Sequence, residues 1–196
     1  MKIEAIAVLL IAVVAALFLV FPRTGAVVSE SDARNFVLED MKTKYPTADS
    51  WEIISVENNT TTDGKQSYSI KAAVSLNLHS VCPERYNLYY DYPNSNFVTW
   101  KETITSNCDL CKGQAVCVIA FPEEAVLASY KSKGSERVAS YIQAYPDAKP
   151  DVTFMDSTGN GLTNVWRVVW SSPHASYALA SYVSKADGTV VQVTSQ

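Results

Sequence analysis

Missing from this chain are the short motifs that usually announce chemistry. None of Gly-x-Ser-x-Gly, His-Glu-x-x-His or a phosphate-binding glycine loop occurs among its 196 residues and seven glycines. That removes the sequence signatures of a serine hydrolase, a zinc peptidase and a nucleotide-binding enzyme. Histidine is nearly as scarce. His79 and His174 are the two present, and neither has a nucleophile, base and orienting group around it, so both read as loop residues without chemistry. A positive patch is lacking too: 16 Lys and Arg are scattered against 20 Asp and Glu, giving a net charge of −4. Nucleic acid is therefore not expected as a partner. These gaps predict a non-enzyme with no cofactor and no bound metal.

What the sequence does have begins at Ala5–Phe21, seventeen residues without a charge. As a helix this stretch would be about 25 Å long, close to the roughly 30 Å hydrocarbon layer of a bilayer. Surface helices are not apolar all round, and a buried core helix is the bland alternative. We read residues 1–28 as a membrane anchor, with the lipid bilayer as partner through residues 5–21. A cleaved signal peptide is the other reading, because Thr24-Gly25-Ala26 offers small residues for a peptidase. Only four residues precede the stretch, so a folded body would lie on one side. Residues 24–196 are expected outside the cytoplasm, at the cell membrane or secreted if the leader is cut.

An internal repeat organises the remainder. Tyr45-Pro46-Thr47-Ala48 recurs as Tyr145-Pro146-Asp147-Ala148. Each copy closes a helical pattern: Val37, Leu38, Met41 and Tyr45 in the first, Val138, Tyr141, Ile142 and Tyr145 in the second. Ser29 with Asp32 makes a capping box, and Ser135 is placed to cap the second helix. Proline then stops both helices by disfavouring helical geometry in the preceding residue. Four strands follow each helix: Trp51–Val56, Tyr68–Leu78, Tyr86–Tyr92 and Phe97–Ile104, then Val152–Asp156, Val165–Trp170, Tyr177–Val183 and Thr189–Thr194. Pro93-Asn94-Ser95-Asn96 and Ala186-Asp187-Gly188 mark hairpins. The fold class is α+β, two modules of one helix on a four-stranded antiparallel sheet, at 29–105 and 134–196. Residues 106–133 form a connector with a short helix that starts at Phe121-Pro122-Glu123-Glu124, acids in its first turn.

This element order, closed by Lys185-Ala186-Asp187-Gly188-Thr189-Val190-Val191, resembles the cystatin-like and PepSY-like group of small modules. The Gln-x-Val-x-Gly loop with which cystatins block proteases is absent, so that inhibition does not carry over. The PepSY resemblance implies a non-catalytic module outside the membrane, in some members a peptidase regulator.

Four cysteines sit in and before the connector: Cys82, Cys108, Cys111 and Cys117. If Tyr92 faces Phe97 across a hairpin, facing residue numbers sum to 189 and Cys82 lies beside Cys108. Disulfides need Cα atoms within about 7 Å, so Cys82–Cys108 and Cys111–Cys117 is the expected pairing, with two other connectivities open. Two rival readings remain: zinc bound by four thiolates, and a thiol–disulfide oxidoreductase using Cys108 and Cys111.

Three further stretches invite a function. Asp156–Asn164 places oxygen donors like a calcium loop, but Arg167 stands where the acidic twelfth ligand belongs, so a hairpin turn is expected. Asn58-Asn59-Thr60-Thr61 holds two overlapping glycosylation sequons at Asn58 and Asn59. Tyr86, Tyr89, Tyr90 and Tyr92, with Trp100 on the facing strand, are the candidate contact surface for a protein, peptide or glycan, although one face of that strand must be core. The expected function is binding or structural work at the cell surface, with a filament subunit as a further reading.

Overall fold

The computed structural model describes residues 28–60, 65–111 and 116–196. The apolar stretch 5–21 lies outside them. Among the described residues no helix is long and apolar enough to cross a membrane.

Ser29 opens the first helix, α1 (Glu30–Lys44), with the expected box. Its hydroxyl accepts the Asp32 amide at 3.1 Å, and the Asp32 carboxylate accepts the Ser29 amide at 3.1 Å. Ala33, Val37 and Met41 form the buried stripe. The helix ends where the Tyr45 amide reaches the Met41 carbonyl at 2.8 Å, and the Ala48 amide then turns back onto the Tyr45 carbonyl at 3.1 Å. The second copy repeats this geometry after α3 (Glu136–Ala144). There the Tyr145 amide bonds the Tyr141 carbonyl at 2.9 Å and the Ala148 amide bonds the Tyr145 carbonyl at 3.0 Å. The sequence repeat is thus a repeat of helix ends. One expectation fails: Ser135 makes no side-chain cap bond. Its backbone, at φ −92° and ψ 1°, departs from the extended geometry that aims a capping hydroxyl at the first-turn amides.

Each helix is followed by a four-stranded antiparallel sheet in simple chain order. The first holds β1 (Ser50–Thr60), β2 (Gln66–Leu76), β3 (Glu84–Tyr92) and β4 (Trp100–Thr105). The second holds β5 (Lys149–Ser157), β6 (Thr163–Ser171), β7 (Leu179–Ser184) and β8 (Val190–Ser195). Period-two alternation directs Tyr68, Ile70, Ala72 and Val74 of β2 and Leu88 and Tyr90 of β3 under α1, into one core. Val168, Trp170, Leu179 and Val183 belong to the other.

The connector helix is α2 (Pro122–Lys131). Ala125, Val126 and Ala128 enter the second core beside Val138 and Tyr141 of α3, so the second sheet carries two helices on its inner face. Trp170 donates its indole N–H to Ser129 of α2 at 2.9 Å. In the other direction Tyr130 donates to the Val81 carbonyl of the first module at 2.7 Å. A single helix therefore serves both halves.

Gly134, in the turn between α2 and α3, has φ +86°, and an added Cβ would lie 2.5 Å from the Val190 carbonyl oxygen. That approach exists because the Val190 amide bonds the Lys133 carbonyl at 3.0 Å, tying the turn to β8. Gly134→Ala combines a left-handed backbone with a clash against main chain, and should cost about 1–3 kcal/mol. Chemical denaturation of the two proteins checks it.

Candidate functional site

The face of the first sheet turned away from α1 is divided in two. Near the second module, Ala73, Ser75, Arg85, Asn87 and Thr105 are all buried, although four of the five are polar. Their cover comes from the start of α2. The Glu123 carboxylate takes a short hydrogen bond from the Ser75 hydroxyl and lies 3.5 Å from the Arg85 guanidinium. Arg85 also lies 3.3 Å from Glu52 and stacks 4.2 Å over the Phe121 ring. Glu124 accepts the Ala120 and Phe121 amides at 2.8 and 3.0 Å, yet burial still pushes its carboxyl above the ordinary range. The residue pattern places these acids in the first turn of α2, where the helix dipole favours them, and says nothing of their burial. Both are enclosed at the joint between the modules.

The other half of that face is open. Ser55, Glu57, Ser69, Lys71, Asp91 and Thr99 line a shallow depression with Tyr89. Trp100, directly opposite Tyr89 across the β3–β4 ladder, is 58 % exposed. The two rings lie 4.6 Å apart with a 32° tilt. Tyr89 donates its hydroxyl to Glu102 at 3.1 Å, an oxygen that also accepts from Asn87 at 2.9 Å, and Lys71 extends its ammonium 5.4 Å over the Tyr89 ring. The aromatic pair is thus fixed from below and beside, with the outer indole face free.

Of the five aromatics singled out as a contact surface, only Tyr89 and Trp100 share this face. Tyr86, Tyr90 and Tyr92 lie on the α1 side, because alternate residues of a strand point oppositely. Tyr90 is 2 % exposed and donates to Asp40 at 2.9 Å, so it belongs to the core and not to a surface. Tyr92 stacks on Phe36 at 4.8 Å, and Tyr86 packs on Tyr45 at 6.4 Å with the Lys101 ammonium 3.6 Å over its ring.

Burial, followed by the hydrogen bond to Glu84, pushes the Tyr86 hydroxyl up to about 12. Burial also pushes Tyr90 above its ordinary value. Both groups then hold their protons more tightly folded than unfolded. Their stabilisation is complete below the unfolded value near 10 and drains away as pH rises past it, the Tyr86 share as far as about 12. Unfolding midpoints should fall from pH 10 upward, and Tyr86→Phe should shallow that fall. Urea melts at stepped pH would show it.

The cysteines pair as Cys82–Cys108 and Cys111–Cys117, with Cα separations of 4.9 and 5.3 Å. The β3–β4 register follows the sum of 189 from Tyr89↔Trp100 to Tyr86↔Thr103, then shifts so that Arg85 faces Thr105. That irregularity, one extra residue in β4, raises the facing sum to 190 at the end of the ladder, which is also the sum of Cys82 and Cys108 just beyond it. With all four sulfurs in disulfides, no thiolates remain for zinc, and Cys108 and Cys111 are not bonded to each other.

The remaining candidates are local. Asp156–Asn164 spans the end of β5, the turn and the start of β6, and the turn is closed by the Thr158 amide on the Leu162 carbonyl at 2.8 Å. His79 lies 3.5 Å from the Pro150 carbonyl, and His174 lies 3.6 Å from Asp147 at the surface. Asn58 and Asn59 stand exposed at the end of β1, Asn59 donating to Ser69 at 2.8 Å.

No protein-family model matches the sequence, and no curated protein matches it. Among solved structures, the chain is similar to a "putative lipoprotein" from Clostridium difficile 630 at 15 % identity. The similarity covers 89 % of this chain and 97 % of that one, with a TM-score of 0.24. Likeness at that level transfers neither fold nor function, and both are taken here from the chain's own residues.

Proposed function

We propose that this chain is an extracytoplasmic binding protein, held to the membrane through residues 5–21, that meets a partner on the Tyr89–Trp100 face. The observation that carries the reading is the aromatic pair itself. A tryptophan stacked on one side by Tyr89 and still more than half exposed on a sheet is rigid apolar area open to a partner. Two disulfides favour an oxidising compartment, which accords with the leader. The motif-poor sequence favours binding over catalysis. Regulation of a peptidase is the finer role implied by the PepSY-like element order, and the partner is then a protein.

Site-specific photo-crosslinking tests the face. A photoreactive residue at Trp100 in membranes from the native host should capture a discrete partner. The same residue at Tyr182, on the outer face of the second sheet, should not. Equal capture at both positions, or at neither, overturns this reading. The oxidoreductase alternative requires Cys108 and Cys111 to exchange as one pair, and reduction of insulin disulfides by the protein, lost in Cys108→Ser, would favour it.

A further inference from the structure

The open face has a charge pattern as well as an aromatic pair. Strand register sets it out in rows: Glu57, Ser69 and Asp91, then Ser55, Lys71, Tyr89 and Trp100, then Glu52, Ala73, Asn87 and Glu102. Carboxylates thus flank the aromatic row on both sides, Glu57 and Asp91 on one and Glu102 on the other, while Glu52 is engaged by Arg85. Among the described residues of these rows the exposed cation is Lys71, since Arg85 is buried against Glu123. The face carries a negative field, whereas the chain as a whole is only mildly acidic.

We propose that this face recognises an extended peptide segment bearing lysine or arginine, an inference that rests on the face being the contact surface proposed above. Aromatic faces attract cations through the ring quadrupole, most strongly on tryptophan. The chain already uses this chemistry on the same sheet, with Lys71 over Tyr89 and Lys101 over Tyr86. The Trp100 ring is the member of the set that offers an exposed face. A cationic side chain laid on it would have Glu102 one row away on the same strand, and Asp91 in the row on the other side on the neighbouring strand β3, with Glu57 farther across the sheet on β1.

The strand edge argues for a peptide over a free amine. β4 is the last strand of its sheet and pairs with β3 alone. A chain added along it would place every second side chain on the face that holds Trp100 and Glu102. Cys108, just beyond β4, is fastened to Cys82, and Lys131 bonds the Cys108 carbonyl, so the edge is held before any ligand arrives. Polyanions such as nucleic acid or acidic polysaccharide meet repulsion on the same ground.

The test uses the full chain in detergent micelles, labelled with nitrogen-15, and three probes: an alternating Lys-Thr octapeptide, its Glu-for-Lys counterpart and a neutral chitooligosaccharide. Four indole signals are expected, from Trp51, Trp100, Trp166 and Trp170. The Trp100 signal is identified by its loss in Trp100→Phe. The lysine peptide should move that signal, bind at least about tenfold more weakly to Trp100→Ala, and weaken with added salt. Asp91→Asn with Glu102→Gln should bind several-fold more weakly and flatten the salt dependence. If the glutamate peptide or the oligosaccharide moves Trp100 as strongly, the cationic specificity is wrong while the contact face stands. If no probe moves it, the basic-peptide inference falls, and the crosslinking result judges the face independently.

Discussion

Arg85→Met is expected to lower the unfolding free energy by about 3–5 kcal/mol, the usual cost of stranding one member of a buried ion pair. Glu123 is 1 % exposed and would lose the Arg85 guanidinium, its cationic neighbour among the described residues, while keeping the Ser75 hydroxyl. Among the described residues its second carboxylate oxygen has no hydrogen-bond partner even in the intact protein. Arg85 also contributes its planar stack on Phe121, which methionine only partly replaces. Removing both charges, in Arg85→Met with Glu123→Met, should cost far less than the sum of the single changes, because no buried charge is then left alone. Urea denaturation of the four proteins measures the cycle. A loss under about 1 kcal/mol for Arg85→Met would mean that water reaches Glu123 when the arginine is gone, and that the joint between modules is looser than its burial implies.

Loss of the Cys82–Cys108 bridge is the second large effect. The bond closes 26 residues, spanning β3, its hairpin and β4. Loop-closure entropy assigns such a link about 3.5 kcal/mol, against about 2 kcal/mol for the 6-residue Cys111–Cys117 loop. Cys82→Ser with Cys108→Ser should therefore lower stability more than Cys111→Ser with Cys117→Ser. The larger loss also reaches α2, because the bridged segments supply the Val81 carbonyl to Tyr130 and the Cys108 carbonyl to Lys131. Thermal melts of the two double variants, without reductant, rank them. An equal loss would show that the denatured chain is already compact between residues 82 and 108.

How much of this could be read in the sequence follows from how local each signal is. The cap at Ser29 and the helix ends at Tyr45 and Tyr145 depend on neighbours within a few positions and stand where residue pattern places them. All eight strands form, but their ends move, β4 starting at Trp100 and not Phe97 and β1 running on to Thr60. The near-pairing of Cys82 with Cys108 was legible from hairpin register. The β4 irregularity that completes it was not, since nothing in Trp100–Thr105 marks an extra residue. The tyrosines show the same limit. Alternation separates Tyr89 from Tyr86, Tyr90 and Tyr92, but the strand itself does not say that α2 covers only the Arg85 end of the outer face. Glu123 is the clearest case. Pro-Glu-Glu reads as a helix start, and only partners 38 and 48 residues away make it a buried joint.

A binding role at the cell surface requires a body folded in oxidising surroundings beyond the membrane, its two cystines intact. Peptide mass mapping of nonreduced protein, taken from native membranes with free thiols blocked at lysis, tests this directly. The expected map links Cys82 to Cys108 and Cys111 to Cys117, with no blocked thiol. Four blocked cysteines, or a Cys108–Cys111 link, would contradict it.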